Sequence, residues 1–319
     1  MTMESKAYRC KRCGGPLEIT PETIVAVCEY CGYPNWMKEV EEDIVIVSSL
    51  KRSDIERAFK ERVSEDFDLS RIKDKIDIIE VKGIYVPFYF ITVKATARYA
   101  GYVKRTRKIG SGKKARIIVE KERVSGRLSS VMKVPVLARR SAEDFSITEL
   151  AEFYKYSKPK VIDIREIDWS EIKLPVLNAE LTSSEAADIA RDEAGDKLRG
   201  KAKSKVDELT EFHCITRVLD VSPLTLIPYW YLVYRYGKAQ YKAAYAGWSC
   251  HLLAIQEPVL IYHRLMYFLG ALSGCALSAL LMSLFRSIEG IIIGLIVGIP
   301  LSYGFGRKLV SDVRIEREI

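Results

Sequence analysis

Two cysteine pairs, Cys10-Lys-Arg-Cys13 and Cys28-Glu-Tyr-Cys31, stand fourteen residues apart near the start of the chain. No other feature restricts the local fold so tightly. Two thiolates two residues apart grip one tetrahedral ion from a single tight turn, and a second such turn closes a four-sulfur site. Gly14 and Gly32 follow the second cysteine of each pair, where the turn needs a residue that tolerates positive φ and close backbone approach. With four protein ligands no coordination position stays open for water, so the site is structural rather than catalytic. Four unrelated buried thiols, or a redox pair, are the competing readings; two matched pairs with following glycines favour the metal.

Between the turns, Pro16 to Ile19 and Ile24 to Val27 read as two short strands flanking Pro21-Glu22-Thr23. The whole, over residues 8 to 36, resembles a zinc ribbon of the transcription-factor-IIB type. The resemblance implies one structural Zn2+ held by Cys10, Cys13, Cys28 and Cys31. It leaves the partner open, because such ribbons grip DNA, RNA or protein.

The far end of the chain reads as membrane. Leu265 to Phe285 is 21 residues without a charge, and after Arg286-Ser-Ile-Glu289 the stretch 290 to 306 is again uncharged. A hydrocarbon core of about 30 Å needs about 20 helical residues, so both segments are expected to span, the second from Ile288 to about Leu309. The alternative is a buried helical hairpin in a water-soluble core. Small residues argue for lipid: Gly270, Gly274 and Ser278 recur on the first helix, and Gly290, Gly294, Gly298, Ser302 and Gly306 on the second. Such glycines weaken a helix in water by about 1 kcal/mol each, whereas in lipid they let backbones pack closely. The stripes join the two spans to each other or to a second copy; the sequence leaves both open.

Basic flanks set the orientation. His263 and Arg264 precede the first span, and Arg307, Lys308, Arg314 and Arg317 follow the second, against a single Arg286 in the turn. Positive-inside reasoning then places both termini, and the ribbon, on the cytoplasmic side of the cell membrane. The polar start, Met1 to Lys11, reads as no signal peptide, so thiols holding metal in a reducing compartment are preferred to a disulfide framework for the seven cysteines. The uncharged cores of the two spans, 265 to 285 and 290 to 306, carry no charged side chain to mark a transport pathway.

Between ribbon and anchor the chain repeats itself. Ile84-Tyr-Val-Pro87-Phe-Tyr-Phe90 parallels Leu226-Ile-Pro228-Tyr-Trp-Tyr231, and Tyr99-Ala-Gly101-Tyr102 parallels Tyr245-Ala-Gly247-Trp248. Upstream, Ser53-x-x-Glu56 and Thr182-x-x-Glu185 read as capping boxes opening a helix in each copy, with a further one at Ser146-x-x-Glu149. The first helix is expected to bury Ile55, Ala58, Phe59, the Arg62 stem and Val63. In the second copy, strands are expected at Phe212–Val221, Leu224–Tyr236, Ala239–Trp248 and His251–Glu257, with a hairpin turn at Tyr236-Gly237-Lys238. The aromatic run from Tyr229 to Tyr236 alternates, which favours a core face plus a packing face over a platform for bases or a ligand.

The ribbon, the strand pattern from Pro228 to Pro258 and the terminal spans together resemble an uncharacterised prokaryotic family of membrane-anchored zinc-ribbon proteins with aromatic-rich β units. Where that family carries an Asn-Gly-x-Thr-Gly hairpin, this chain has Trp248-Ser-Cys-His251 after Gly247. The resemblance implies architecture and membrane attachment, and no activity. The expected fold is therefore multidomain α+β. A zinc ribbon covers residues 1–45, and two tandem helix-plus-antiparallel-sheet units cover 46–140 and 141–260. A two-helix transmembrane hairpin covers 263–309, and 310–319 is a cytoplasmic tail.

Charge is concentrated in one place. Residues 104 to 127 hold ten Lys or Arg and two Glu, a net of +8 that equals the formal charge of the whole chain. The stretch reads as a hairpin with Gly110-Ser-Gly112 at its tip. Lys104, Arg105, Arg107, Lys108, Lys113, Lys114 and Arg116 are its candidate contacts to an anionic partner, either lipid headgroups or nucleic-acid phosphates. A solvated hairpin with no partner is the plain alternative. The scarcity of Asn and Gln, two of each, beside abundant Lys, Arg, Glu, Ile and Val suits a protein working at high temperature.

Catalytic motifs are lacking. The three histidines, His213, His251 and His263, belong to no nucleophile, HExxH or phosphate-loop pattern. A second metal pair from His213-Cys214 and Cys250-His251 would need the first and last strands of the second copy to be neighbours. The expectation is a non-enzymatic membrane-anchored adaptor that binds a protein partner or its own copy. A membrane-tethered binder of nucleic acid or ribosomes is the alternative.

Overall fold

The computed structural model describes residues 8–17, 19, 25–31, 33–36, 43–109, 116–140, 145–163, 166, 174–284, 288–310 and 313–317. Among these the protein is mixed α+β. Strands β1 (Val25–Val27), β2 (Pro34–Trp36) and β3 (Ile44–Val47) come first, then helix α1 (Arg52–Glu65) and a 3₁₀ helix (Leu69–Lys75). Long strands β4 (Ile76–Ile109) and β5 (Arg116–Leu137) follow, then α2 (Ile147–Ser157), β6 (Val161–Asp163) and α3 (Ser183–Lys203). The chain ends in β7 (Glu208–Val221), β8 (Leu224–Tyr236), β9 (Ala239–Ala246), β10 (Leu252–Pro258), α4 (Ile261–Leu284), α5 (Ile288–Val310) and β11 (Val313–Arg317).

Two compact units emerge, each assembled from segments far apart in sequence. The first comprises residues 1–50, 83–229 and 247–249; the second comprises 51–82, 230–246 and 250–319. The boundary therefore falls inside β4 and inside β8.

In the first unit, β4 pairs antiparallel with β5 from Phe88↔Leu137 to Ile109↔Arg116, and on its other side with β7. Beside this, β3 pairs parallel with the start of β8 and antiparallel with β6. One face of the β5–β4–β7 sheet is covered by α3. That helix presents Ala186, Ala190, Ala194 and Leu198, spaced by four, to Val93, Ala95 and Ala97 of β4. The small side chains let the helix lie close on the sheet. Its start is the expected capping box: Thr182 Oγ1 accepts the Glu185 N–H at 3.3 Å, and the Glu185 carboxylate accepts the Thr182 N–H at 2.9 Å. Helix α2 opens at Ser146, in a left-handed conformation (φ 67°) and without the expected side-chain cap bond. Its Tyr154 stacks on Phe90 and its Phe153 on Trp248, with ring centroids 4.4 and 5.5 Å apart.

In the second unit, α1 starts two residues earlier than the Ser53 box implies. Lys51 is the N-cap, and the Asp54 carboxylate accepts its backbone N–H at 3.1 Å, while Glu56 is engaged by Arg52 at 2.7 Å. The buried face is Ile55, Phe59 and Val63, with Ala58 and Arg62 half-buried. Phe59 meets Tyr234, which in turn stacks on Tyr241, at centroid distances of 5.0 and 5.5 Å. β8 covers the expected span, but it does not alternate: Tyr229, Trp230, Leu232, Val233 and Tyr234 are all buried. It is core on both faces, which removes the reading of this run as a ligand platform.

The segment expected as a tail instead forms β11, which pairs antiparallel with β10 from Ala254↔Arg317 to Pro258↔Val313. The strand that feeds α4 and the strand that leaves α5 are therefore neighbours.

Candidate metal centre, basic hairpin and membrane helix

The metal centre is built by two tight turns. In the first, the Gly14 N–H donates to the Cys10 carbonyl at 2.9 Å and the Cys10 N–H to the Gly15 carbonyl at 2.8 Å. Gly14 takes φ 73°, the left-handed region that only glycine enters freely. In the second, the Cys28 N–H donates to the Tyr33 carbonyl at 3.0 Å; Gly32 lies outside the described residues. The strand expected at 24–27 forms as β1, but it pairs with β2, beyond the second turn. Pro16 makes only a single bridge, to Arg9.

The four sulfurs converge. Cys10 and Cys31 are 3.6 Å apart, Cys13 and Cys28 are 3.5 Å apart, and all four lie within 4.8 Å of one another. A tetrahedral ion with metal–sulfur bonds of about 2.3 Å needs sulfurs about 3.8 Å apart, so the donor set fits such an ion with small adjustment. The surroundings of Cys10 favour thiolate. The Arg12 N–H points at Cys10 Sγ from 3.4 Å and the Asn35 amide from 3.6 Å. Asn35, 1% exposed, also donates to the Tyr33 carbonyl at 2.8 Å and accepts the Lys11 N–H at 2.8 Å. It ties the sulfur to both turns, the outer-shell role that fixes a ligand's orientation. Burial opposes ionisation of Cys10, yet the N–H groups of Cys13 and Arg12 and the Asn35 amide hold its thiol down to about 6. Burial and the neighbouring thiols push Cys31 up to about 12. One thiolate is thus prepared, and an incoming cation displaces the remaining protons.

The basic hairpin forms between β4 and β5. Lys104 and Arg105 are exposed; the Lys104 backbone N–H donates to Asp207 at 2.6 Å, and Arg105 pairs with Glu122. Lys113, Lys114 and the tip lie outside the described residues, as do the side chains of Arg107, Lys108 and Arg116. Lys121 and Arg123, further from the tip, bind Glu208 and Glu211 of β7 at 2.7 and 3.1 Å.

At the other end, Tyr262–Ser283 of α4 is 22 residues long with mean hydropathy 1.9, long and apolar enough to cross a membrane, and only 6% of that stretch is buried. It is the one such helix among the described residues. The small residues join α4 to α5. A β-carbon at Gly274 would meet Ser302 Oγ at 2.7 Å, one at Gly270 the Phe305 ring at 2.8 Å, and one at Gly298 Ser278 Cβ at 2.4 Å. Gly306 has open space around it, and the surroundings of Gly290 and Gly294 lie outside the described residues.

The strand pairing that the second cysteine site needs is not seen among the described residues. β7, with His213 and Cys214, pairs with β4, whereas β10 pairs with β9 and β11. A cluster that the sequence left unseen lies instead where β11 docks. Arg62 contacts Asp66 at 3.3 Å and Glu316 at 3.2 Å; Arg314 contacts Asp68 at 3.4 Å and Glu316 at 3.6 Å. His263 stands 3.3 Å from Asp68, and Glu257 sits among them, 2% exposed. No spacing rule links residues 62, 257 and 316, which explains why the pattern was not legible.

Comparison of the chain with protein families, with curated proteins and with solved structures finds no match.

Proposed function

We propose that this protein is a non-enzymatic, membrane-anchored zinc-ribbon adaptor. It holds a partner at the cytoplasmic face of a membrane and assembles a membrane-associated complex. The observation that carries this reading is the pairing of β10 with β11. A chain whose entry and exit strands around two helices are hydrogen-bonded neighbours returns to the side it left. α4 and α5 then act as a two-span hairpin with both flanks on one face. The apolar surface of α5 supports this, with Ile296 and Ile299 at least 60% exposed. Such a surface is unfavourable in water and suits lipid. The basic flanks His263, Arg264, Arg307 and Lys308 favour the cytoplasmic side for both termini.

In this reading Cys10, Cys13, Cys28 and Cys31 hold one Zn2+ whose part is to fold the ribbon. The ribbon and the α+β elements that lie between it and the helices in sequence form the binding mass, and the family resemblance of the sequence belongs to the same proposal. The test is a detergent pull-down of the full chain from native membranes, with and without nuclease. Protein partners that survive nuclease support the adaptor. A preparation from which nothing is recovered except the chain itself, in either arm, contradicts it.

A further inference from the structure

The outer face of the β5–β4–β7 sheet carries a basic strip that the hairpin reading does not include. On β4, Val93, Ala95 and Ala97 point into the core, so Lys94, Thr96 and Arg98 point out. The register then places Arg127 of β5 and His213 of β7 directly on either side of Arg98, and Val131 and Arg217 on either side of Lys94. The row between them is Ser129, Thr96 and Ile215, with the two hydroxyls 3.4 Å apart. Lys94, Arg98, Arg127, His213 and Arg217 are all exposed. Among the described residues none of Lys94, Arg98, Arg127 and Arg217 has an ion pair, in contrast to Lys121 and Arg123 nearer the tip, which are matched by Glu208 and Glu211.

Like charges directly opposite on a sheet destabilise it. Arg98 directly opposite Arg127 is therefore an unfavourable pair that a bound anion would relieve. Rows on one face recur about every 7 Å along a strand, and neighbouring strands lie about 4.8 Å apart. The face is thus a ribbon about 10 Å wide, with guanidinium and ammonium groups alternating with hydroxyls along its length. Arg, Lys, Ser and Thr side chains are the usual donors to phosphate oxygens. The exposed Ile215 (78%) and Val131 (57%) offer apolar surface to the bases between them. A narrow linear array fits a linear polyanion better than the broad plane of a lipid surface.

We infer that this face binds a single-stranded nucleic acid through its phosphates, with Lys94, Arg98, Arg127 and Arg217 as the contacts. The inference does not rest on the membrane anchor, since every residue in it belongs to the first unit; it adds a nucleic-acid ligand to the protein partner of the proposed adaptor.

The test uses the full chain in nanodiscs of zwitterionic lipid and a fluorescent single-stranded RNA of about 20 nucleotides, long enough to fill the strip. Wild type is expected to bind with log K falling against log salt at a slope of about −3, the value for about four phosphates. The variant Lys94→Ala/Arg98→Ala/Arg127→Ala/Arg217→Ala is expected to bind at least about tenfold more weakly at moderate salt and with a flatter slope. Arg98→Lys/Arg127→Lys keeps the binding, and Lys104→Ala/Arg105→Ala changes it little. All substitutions are at exposed positions, and a thermal melt checks that each variant is folded. Unchanged affinity in the fourfold variant, or loss confined to the Lys104/Arg105 variant, overturns the inference. So does a wild type that ignores RNA but binds phosphatidylserine vesicles through the same four residues.

Discussion

Gly298 of α5 lies so close to Ser278 of α4 that a β-carbon on the glycine would stand 2.4 Å from Ser278 Cβ and 2.7 Å from its Oγ. No side chain fits there without separating the helices. Gly298→Val is therefore expected to weaken the α4–α5 pair by about 1–3 kcal/mol, the usual cost of overpacking. It should lower the melting temperature of the detergent-solubilised protein. Gly306→Val, which meets open space, should leave it unchanged. Equal melting temperatures for all three proteins would contradict the packing.

Metal is expected at one equivalent per chain, as zinc, measured on protein purified without added metal. Cys28→Ser should bring this to near zero and unfold the ribbon, because a closed four-thiolate site contributes its binding free energy to folding. Asn35→Ala keeps all four ligands and removes the amide beside Cys10 Sγ. It should weaken the metal by roughly tenfold to a hundredfold, read by competition with a chelator. Full affinity in Asn35→Ala would show that the amide does not tune the sulfur.

Stability should depend on pH through Glu257. Burial, then the charges of Asp66 and Glu316, push its carboxyl from 4.5 up to about 7, against the pull of Arg314 and Arg62. Between these values the folded state holds a proton that the unfolded chain releases. The contribution is therefore complete below about pH 4.5 and is lost as pH rises through about 7. It amounts to about 3 kcal/mol at most. Glu257→Gln mimics the protonated form, so it should raise the melting temperature near pH 8 and leave it nearly unchanged near pH 5. Identical shifts at both pH values would contradict this.

What was legible in the sequence was local. The cysteine pairs, the Thr182 box, the extent of β8 and the apolar stretch of α4 each rest on spacings within about one element, where period and capping rules apply. What was missed depends on distant partners. β11 is short and charged, and it is a strand only because β10 offers an edge. The basic strip is invisible until β4, β5 and β7 are in register, because Arg98 and His213 are neighbours only through the ladder. The start of α1 moved because Asp54, not Glu56, sits where a side chain reaches back to the N-cap. The aromatic run of β8 alternates in sequence, but Tyr229 and Tyr234, on opposite faces, are both buried, with Tyr234 donating its hydroxyl proton to the Gln256 carbonyl.

The central claim, a two-span anchor with the folded mass on the inner face, is tested most directly by thiol labelling in intact cells. A cysteine placed at Ser287, between α4 and α5, should react with a membrane-impermeant maleimide before lysis, while one placed at Lys60, exposed on α1, reacts only after it. Labelling of the cysteine at 287 only after lysis would contradict the claim.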